Sequence, residues 1–171
     1  RELGILWQTG AISPSHEHFL TSLIKQKLHL QTEYLQRNKN LHSESITFVL
    51  FLPENEIHEL GILYLNYLIL SKGHRTIFLG QSLQISSLET LYSYDTKFNF
   101  VSYITVEPNK EDIMFYLKDF YKHILDQQDS KLLLFGPQQI AIDTDNLPPQ
   151  IELYRSVESF VSKYFPEKVL V

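Results

Sequence analysis

From residue 46 onward the chain alternates between short apolar runs and longer amphipathic stretches, and this alternation strongly limits the folds it can adopt. The apolar runs have the length and composition of buried strands, and they span residues 46–51, 75–80, 98–104, 131–136 and 151–154. Helices are predicted between and after them, at 57–72, 86–94, 110–127 and 155–165. Strands that alternate with helices predict an α/β fold, a Rossmann-like (flavodoxin-like) parallel five-stranded sheet with helices on both faces.

The first 40 residues have a helical character and predict a separate cap, a truncated helical bundle. Ser13 and Pro14 mark a helix start, because proline at the first helical position loses no hydrogen bond. The polar segment 38–45 predicts a linker, which divides the chain into a cap over 1–40 and a sheet domain over 46–171. One or two helices cannot bury an apolar stripe alone, so we expect the stripe of the cap to pack on another part of the protein. Its members recur at helical spacing: Phe19, Leu20, Leu23, Ile24, Leu28, Leu30 and Leu35.

Composition excludes several classes of function. The 171 residues include no cysteine, which excludes disulfides and thiolate metal sites and fits a reducing, cytoplasmic setting. With 15 basic and 20 acidic residues the chain is mildly acidic, so it is poorly suited to binding nucleic acid by itself. No apolar run approaches the length of a membrane span. Because the sequence begins with Arg1, we expect a piece of a longer protein that lacks its amino-terminal part.

The segment LPENEIHELG, residues 52–61, directly follows the first predicted strand. In parallel α/β folds, ligands bind beyond the carboxyl ends of the strands. The segments TVEPN and GPQQ follow the third and fourth strands and are expected at the same edge. His58 therefore stands where a ligand is expected. The alternative interpretation is a helix start, with Asn55 as the cap and with Glu56 and Glu59 at the positive end of the helix dipole.

The neighbours of His58 distinguish it from other histidines of the chain. A metal-bound imidazole usually donates its second N–H to a carboxylate, and Glu56 can take that role from the same loop. Gly61 has no Cβ, so a bulky planar group can approach the backbone there. Five histidines lie in helix, linker or turn positions that give them no predicted role: His16, His29, His42, His74 and His123.

The pattern Glu56-x-His58-x-x-Gly61 resembles the E/D-x-H-x-x-G fingerprint of cobalamin-binding domains. This resemblance implies a cobalamin cofactor. It also implies that His58 is the lower axial ligand of cobalt, in place of the benzimidazole base of the cofactor.

Two further positions of that family's pattern can be located in this chain. The family carries a serine on the third strand and glycines after the fourth, and these residues line the slot for the displaced nucleotide tail. Ser102, Tyr103, Ile104 and Gly136 stand in those places. Pro137 replaces the second glycine of the usual pair, and this departure puts the tail contact in doubt.

A second pattern lies in the helical cap, where Trp7 is followed after nine residues by Glu17 and His18. This spacing resembles the W-x9-E-H signature of CarH- and LitR-like photoreceptors, which are MerR-type transcriptional regulators that use adenosylcobalamin. The resemblance implies that Trp7 covers the upper face of cobalt and packs against the adenosyl group. It implies that Glu17 hydrogen-bonds ribose hydroxyls, with His18 beside it. Some light-sensing members carry a histidine directly after the tryptophan; here that residue is Gln8, which cannot form the same photoadduct.

Together the two patterns imply a cobalamin-binding sensor of a transcriptional regulator, not an enzyme. The expected cofactor is adenosylcobalamin, and light is expected to change self-association of the chain as a dimer or tetramer. DNA would be bound by an amino-terminal MerR-type head that is absent from this chain, and no membrane would be involved. Two alternatives stay open: a corrinoid-carrying module of a methyltransferase or mutase, and a degenerate domain without cofactor that serves protein contacts.

Two other interpretations are rejected on their residues. A phosphorelay receiver shares the predicted topology but needs an aspartate at the end of the third strand, where residues 105–107 read Thr-Val-Glu. A zinc site built from His16, Glu17 and His18 fails because consecutive helical positions do not share a face.

Overall fold

One parallel sheet organises the chain. The computed structural model describes residues 13–38, 46–94, 97–127 and 129–166. The strands pair in the order β2-β1-β3-β4-β5, and every pair is parallel. They are β1 Thr47–Pro53, β2 Thr76–Leu83, β3 Phe98–Tyr103, β4 Lys131–Phe135 and β5 Ile151–Leu153. The strand order reverses at β1 and β3, so the ligand-binding position of this topology lies where those two strands end.

Helices connect the strands as predicted. They are α1 Pro14–Asn38, α2 Leu60–Ser71, α3 Ile85–Leu88, α4 Ile113–Phe120 and α5 Val157–Tyr164. Short turns extend this set: 3-10 turns at Glu89–Ser93, Pro137–Ala141 and Thr144–Asn146, and a π-helical turn at Tyr121–Leu125. The predicted bounds of the strands and of the helices in the sheet domain agree with the observed ones to within a few residues. The parallel five-stranded α/β fold is therefore confirmed.

The core lies on both faces of the sheet, because successive side chains of a strand point to opposite sides. On β1, Phe48 and Leu50 face one side while Val49 and Phe51 face the other, and all four are buried. Helices α2 and α5 cover the first face, and α3 and α4 cover the second. Each loop at the carboxyl edge of the sheet is thus held between two packed layers, which gives a ligand site at that edge a rigid base.

Helix α1 stands outside these layers and packs on α2. It begins at Pro14, as predicted, and the Ser13 hydroxyl accepts a hydrogen bond from the backbone N–H of His16. Thr32 is the only described residue of α1 that is buried. The apolar stripe that was expected to be covered is therefore largely exposed, because one neighbouring helix covers only a narrow face. Its exposed members are Phe19, Leu23, Ile24 and Leu30.

Among residues 13–38, 46–94, 97–127 and 129–166, no helix combines the length and the apolar character that crossing a membrane requires.

Candidate functional site

The loop after β1 is a separate structure and not the first turn of a helix. Helix α2 begins only at Leu60, and the preceding Glu59 makes no side-chain cap hydrogen bond. Asn55 has a φ of 65°, a left-handed conformation that asparagine tolerates better than most residues, and its N–H donates to the Ser82 hydroxyl at 3.1 Å. The interpretation of Asn55 as a helix cap is therefore wrong, and the loop 54–59 is free to position other groups.

Glu56 is the anchor of this loop, and only 1% of it is exposed. Its Oε1 accepts a hydrogen bond from the backbone N–H of His58 at 2.9 Å and lies 2.6 Å from the ring Nδ1 of the same residue. Its Oε2 accepts three backbone N–H groups of the loop after β3, from Thr105, Val106 and Glu107, at 2.9, 2.7 and 3.0 Å. One carboxylate thus ties together the loops that follow β1 and β3.

These hydrogen bonds decide the charge of Glu56. Burial by itself would raise the pKa of the carboxyl group, because it disfavours the ionised form. The hydrogen bonds from Val106, His58 and Glu107 outweigh burial and lower the pKa from 4.5 to about 2. Glu56 is therefore a carboxylate at neutral pH, and it faces His58 with a negative charge.

The ring of His58 is oriented by that charge. With Nδ1 against the Glu56 carboxylate, the ring hydrogen belongs on Nδ1, and Nε2 carries the free lone pair. No described residue donates a hydrogen bond to Nε2, and the side chain is 52% exposed. An imidazole that is oriented by a carboxylate at one nitrogen and open at the other is the usual arrangement of a metal-ligating histidine.

The space beside Gly61 holds an aromatic ring of the chain itself. A Cβ added at Gly61 would lie 2.8 Å from each of three carbons of the Tyr103 ring, Cγ, Cδ2 and Cε2. Gly61 therefore permits the close approach of a planar group, and in this structure that group is the ring of Tyr103.

Ser102 does not share that space. It is fully buried, and its hydroxyl has no hydrogen-bond partner among the described residues. Strand alternation places it on the same face as Phe100 and Ile104, which pack with α3 and α4, whereas Tyr103 packs on the side of α2. Ser102 and Tyr103, which were both expected to line the slot for the nucleotide tail, therefore lie on opposite faces of the sheet.

Ile104 and Gly136 are brought together, and the contact is between backbones. Gly136 has a φ of +105°, and a Cβ there would lie 2.1 Å from the carbonyl oxygen of Ile104. The N–H of Ile104 donates to the carbonyl of Phe135 at 2.8 Å. Glycine at this position is therefore required by the junction of β3 and β4, and Pro137 opens the short helical turn that follows.

The structure describes only some of the cap residues for which a role was predicted. Trp7 and Gln8 lie outside the described residues. Glu17 is half-buried on α1 and accepts a hydrogen bond from the Thr21 hydroxyl at 2.8 Å, whereas His18 is exposed. An ion pair of 3.0 Å between Lys25 and Glu59 joins the middle of α1 to the residue that follows His58. Glu17 precedes Lys25 by eight residues, which is about 12 Å along the helix axis.

Sequence analysis missed the amide groups that bind Glu56, and it named Tyr103 without predicting its contact with Gly61. The three amide groups of residues 105–107 carry no side-chain signature, since any residue other than proline supplies an N–H. The position of Tyr103 could have been found, because the two-residue period of the strand FNFVSYI places Ser102 and Tyr103 on opposite faces.

A separate cleft of about 470 Å³ opens on the α3 and α4 side of the same edge. His58 does not line it. Within the part of the chain that the structure describes, no group of three or more His, Cys, Asp or Glu residues could hold a metal ion. The carboxylates that line the cleft are Glu54, Glu89, Glu107, Asp112 and Asp119. The His58 side is therefore the candidate site.

Comparisons with known proteins agree with the fold. The sequence matches no protein-family model and no curated protein. Among solved structures, the monomethylamine corrinoid protein of Methanosarcina barkeri matches with a TM-score of 0.69 at 13% identity, over 96% of this chain and 76% of that chain. A cobalamin-binding protein from Desulfitobacterium hafniense matches with a TM-score of 0.47 at 10% identity, over 86% and 70% of the two chains. The first likeness shows that this chain has the fold of a corrinoid protein.

Proposed function

We propose that this chain binds a corrinoid, with His58 as the lower axial ligand of cobalt and Glu56 as the residue that positions it. The observation that carries the proposal is the 2.6 Å contact between the buried Glu56 carboxylate and Nδ1 of the half-exposed His58. This contact lies at the end of β1, where the strand order reverses and where sheets of this topology bind ligands. The fold shared with the Methanosarcina barkeri corrinoid protein supports the same conclusion.

The surroundings of His58 suit a large flat ligand. Ile57 precedes the histidine, Val106 lies in the loop bound by Glu56, and Ile140 lies in the turn after β4. All three are exposed, and all belong to loops at the carboxyl edge of the sheet. They would give the face of a corrin ring apolar contacts at the edge of the sheet that carries the histidine.

We further propose that the chain is a sensor and not an enzyme, with adenosylcobalamin as its cofactor. The pattern of Trp7, Glu17 and His18 supports this choice. The ion pair between Lys25 and Glu59 also supports it, because it links the helix that carries Glu17 to the loop that carries His58. A bound adenosylcobalamin would supply a cobalt–carbon bond that light can break.

The output of such a sensor would be a change in assembly. The exposed apolar residues of α1 form a surface that a second copy of the chain could cover, which supports self-association as a dimer or tetramer. DNA would then be bound by an amino-terminal MerR-type head outside this chain.

One observation favours a second candidate function, a corrinoid-carrying module of a methyltransferase. The solved structure with a TM-score of 0.69 is named as a monomethylamine corrinoid protein. The two functions share the lower ligand and differ in the response to light, so that illumination distinguishes them.

The first experiment tests corrinoid binding. The purified chain is mixed with hydroxocobalamin, and its absorbance spectrum and affinity are measured. His58→Ala should abolish the spectral change of histidine ligation. Glu56→Gln should keep the ligand and lower affinity by about 10–100-fold, which is typical of losing the group that orients a metal ligand.

His123→Ala is the matched control. His123 is also half-exposed, with Nδ1 3.2 Å from the Glu89 carboxylate, but it lies on the opposite side of the edge. This variant should bind like wild type. Equal spectra for wild type and His58→Ala would remove His58 from the site.

The second experiment separates the sensor from the carrier. Light scattering after size-exclusion chromatography gives the mass of the chain without cofactor, with adenosylcobalamin in darkness, and after green light. The sensor should be larger with adenosylcobalamin in darkness and should return toward the smaller species on illumination. Identical masses in all three samples would favour the carrier.

A further inference from the structure

Gln138 lies in the helical turn after β4, at the carboxyl edge of the sheet. Pro137 opens this turn at its first position, where the fixed φ of proline suits a helix and its missing N–H costs no hydrogen bond. The backbone N–H of Gln138 donates to the carbonyl of Ile104 at 3.4 Å, and Ile104 directly follows β3. The turn is therefore held against the loop after β3, which is the loop that Glu56 binds.

The side chain of Gln138 makes a contact of its own with this loop. Its Nε2 donates to the backbone carbonyl of Val106 at 3.1 Å. A carbonyl can only accept, so the nitrogen and not the oxygen of the Gln138 amide must face it. The carbonyl of Val106 and the N–H of Glu107 belong to one peptide group, and that N–H donates to Oε2 of Glu56 at 3.0 Å. Gln138 and Glu56 thus hold opposite ends of the same peptide group.

A continuous chain of hydrogen bonds therefore joins the turn after β4 to the proposed cobalt ligand. It runs from the Gln138 amide through the peptide group to Glu56, and from Oε1 of Glu56 to Nδ1 of His58 at 2.6 Å. Hydrogen bonds in such a chain polarise one another, because a carbonyl that accepts a hydrogen bond makes the N–H of its own peptide group a stronger donor. The chain also fixes the orientation of that peptide group, and with it the direction of the N–H that Glu56 receives.

We infer that Gln138 is a positioning residue for His58. It acts on the histidine through one peptide group and the carboxylate of Glu56. This inference rests on the proposed function and deepens it, because a third loop of the edge then takes part in fixing the lower ligand of cobalt. Gln138 is one step further from the histidine than Glu56, so its loss weakens the support of Glu56 and costs less affinity than a change of Glu56 itself.

The first measurement is the affinity of Gln138→Met for hydroxocobalamin, by absorbance titration of the purified chain. Methionine has nearly the length and volume of glutamine and no N–H, so this substitution removes the hydrogen bond to Val106 and little else. The dissociation constant should rise by roughly threefold, and the spectrum of histidine ligation should stay.

Gln139→Met is the matched control in the same turn. The Nε2 of Gln139 donates to the carbonyls of Gly136 at 3.0 Å and of Tyr154 at 2.9 Å, and neither contact leads to Glu56. This substitution removes two hydrogen bonds where Gln138→Met removes one. It should therefore lower the free energy of unfolding at least as much, yet leave the dissociation constant of hydroxocobalamin unchanged.

A double-mutant cycle separates positioning from plain support of the fold. In a Glu56→Gln background the side-chain amide presents an acceptor on one side only, so the path from Gln138 to His58 is broken. Gln138→Met should then change the dissociation constant by less than about 1.5-fold. Equal fold-changes in the two backgrounds would show that Gln138 only stabilises the edge of the sheet, which overturns this inference and leaves corrinoid binding in place.

NMR of the chain without cofactor tests the peptide group itself. The amide proton of Glu107 should shift upfield in Gln138→Met and stay in Gln139→Met, because only the first variant removes the donor that polarises this peptide group. An unchanged Glu107 resonance in Gln138→Met overturns the inference. A shifted resonance in a chain whose wild type binds no hydroxocobalamin overturns the proposed function, and with it the role of Gln138 toward cobalt.

Discussion

Glu56 and Glu152 lie far apart in the chain, and different kinds of hydrogen-bond donor keep the two carboxylates ionised. Glu56 is sealed from solvent and is bound by backbone N–H groups and by the ring of His58. Glu152 lies on the edge strand β5, is slightly exposed, and accepts hydrogen bonds from Lys131 at 2.7 Å, Lys163 at 2.8 Å and two tyrosine hydroxyls. Burial alone would raise both pKa values, yet the hydrogen bonds lower each to about 2.

The two carboxylates differ in what their hydrogen-bond partners hold in place. Backbone N–H groups are held by the chain, so Glu56 fixes the relative position of two loops and the orientation of one histidine. The partners of Glu152 are long or rotatable side chains from β4, from α5 and from Tyr154, which follows β5. They hold an edge of the sheet together and orient no group toward solvent. The comparison teaches that a low carboxyl pKa does not identify a functional site. Glu56 differs from Glu152 in that it orients a half-exposed histidine at the carboxyl edge of the sheet.

The largest expected effect is the loss of stability in Glu56→Ala. The substitution leaves three amide groups of residues 105–107 and the N–H of His58 without their acceptor in a buried place. Hydrogen bonds to a charged group contribute more than neutral ones, and buried donors without a partner are costly, so we expect a loss of about 3–5 kcal/mol. Urea unfolding followed by circular dichroism measures it.

Glu54→Ala is the matched control for this change. Glu54 lies in the same loop, is exposed, and accepts only the Gln84 amide, at 2.8 Å. Its loss should change the free energy of unfolding by no more than about 0.5 kcal/mol. Similar values for the two variants would show that the contacts of Glu56 do not hold the loops.

Lowering the pH should remove the contribution of Glu56 to folding stability over a defined pH range. Its pKa is about 2 in the folded chain and 4.5 ordinarily. A group with a depressed folded pKa stabilises the protein fully above its unfolded pKa and loses this effect as the pH falls toward the folded pKa. The difference between these two pKa values corresponds to about 3 kcal/mol of folding stability, and roughly half of that stability is lost by about pH 3.

Glu56→Gln isolates that contribution, since the amide does not ionise in this range. The difference in unfolding free energy between wild type and Glu56→Gln should be constant from pH 7 to about pH 5 and should shrink below it. A difference that stays constant down to pH 3 would contradict the depressed pKa.

The sequence predicts the sheet far better than the site, for a physical reason. Buried strands and amphipathic helices follow from a period of two or 3.6 residues, which any short window of the chain displays. His58 and Glu56 could be paired from sequence because both lie within one six-residue loop, 54–59. Their contact is local, so spacing alone brings the two groups together.

The remaining contacts of the site join residues that are far apart in the chain. Glu56 meets the amides of 105–107 across about fifty positions, and Gly61 meets Tyr103 across about forty. Such contacts depend on strand order and on which face each residue takes. Ser102 and Tyr103 show the consequence: both were expected to line one slot, and strand alternation places them on opposite faces of the sheet.

A smaller effect is expected from Glu152→Ala. The substitution removes two ion pairs whose lysines are about half exposed, at 45% and 56% of their side chains, so that water can solvate the freed charges. We expect a loss of about 1–2 kcal/mol, less than for Glu56→Ala, and an unchanged affinity for a corrinoid. Urea unfolding and the absorbance titration measure the two quantities. A loss of corrinoid affinity in this variant would mean that the β5 edge and the His58 loop are coupled.

The smallest expected effect is that of salt concentration. It tests directly whether burial distinguishes Glu56 from Glu152. Raising the salt concentration from about 0.1 M to about 1 M shortens the Debye length from about 10 Å to about 3 Å, which screens exposed charges and leaves buried ones nearly unaffected. The coupling energy between Glu152 and Lys163, measured by a double-mutant cycle with alanine at each position, should fall by about 0.5 kcal/mol or less. The destabilisation caused by Glu56→Ala should stay the same at both concentrations, because its main partners are neutral amides that the chain holds in place. An equal response of the two carboxylates to salt would mean that solvent reaches Glu56, and the rigid orientation of His58 would then lose its basis.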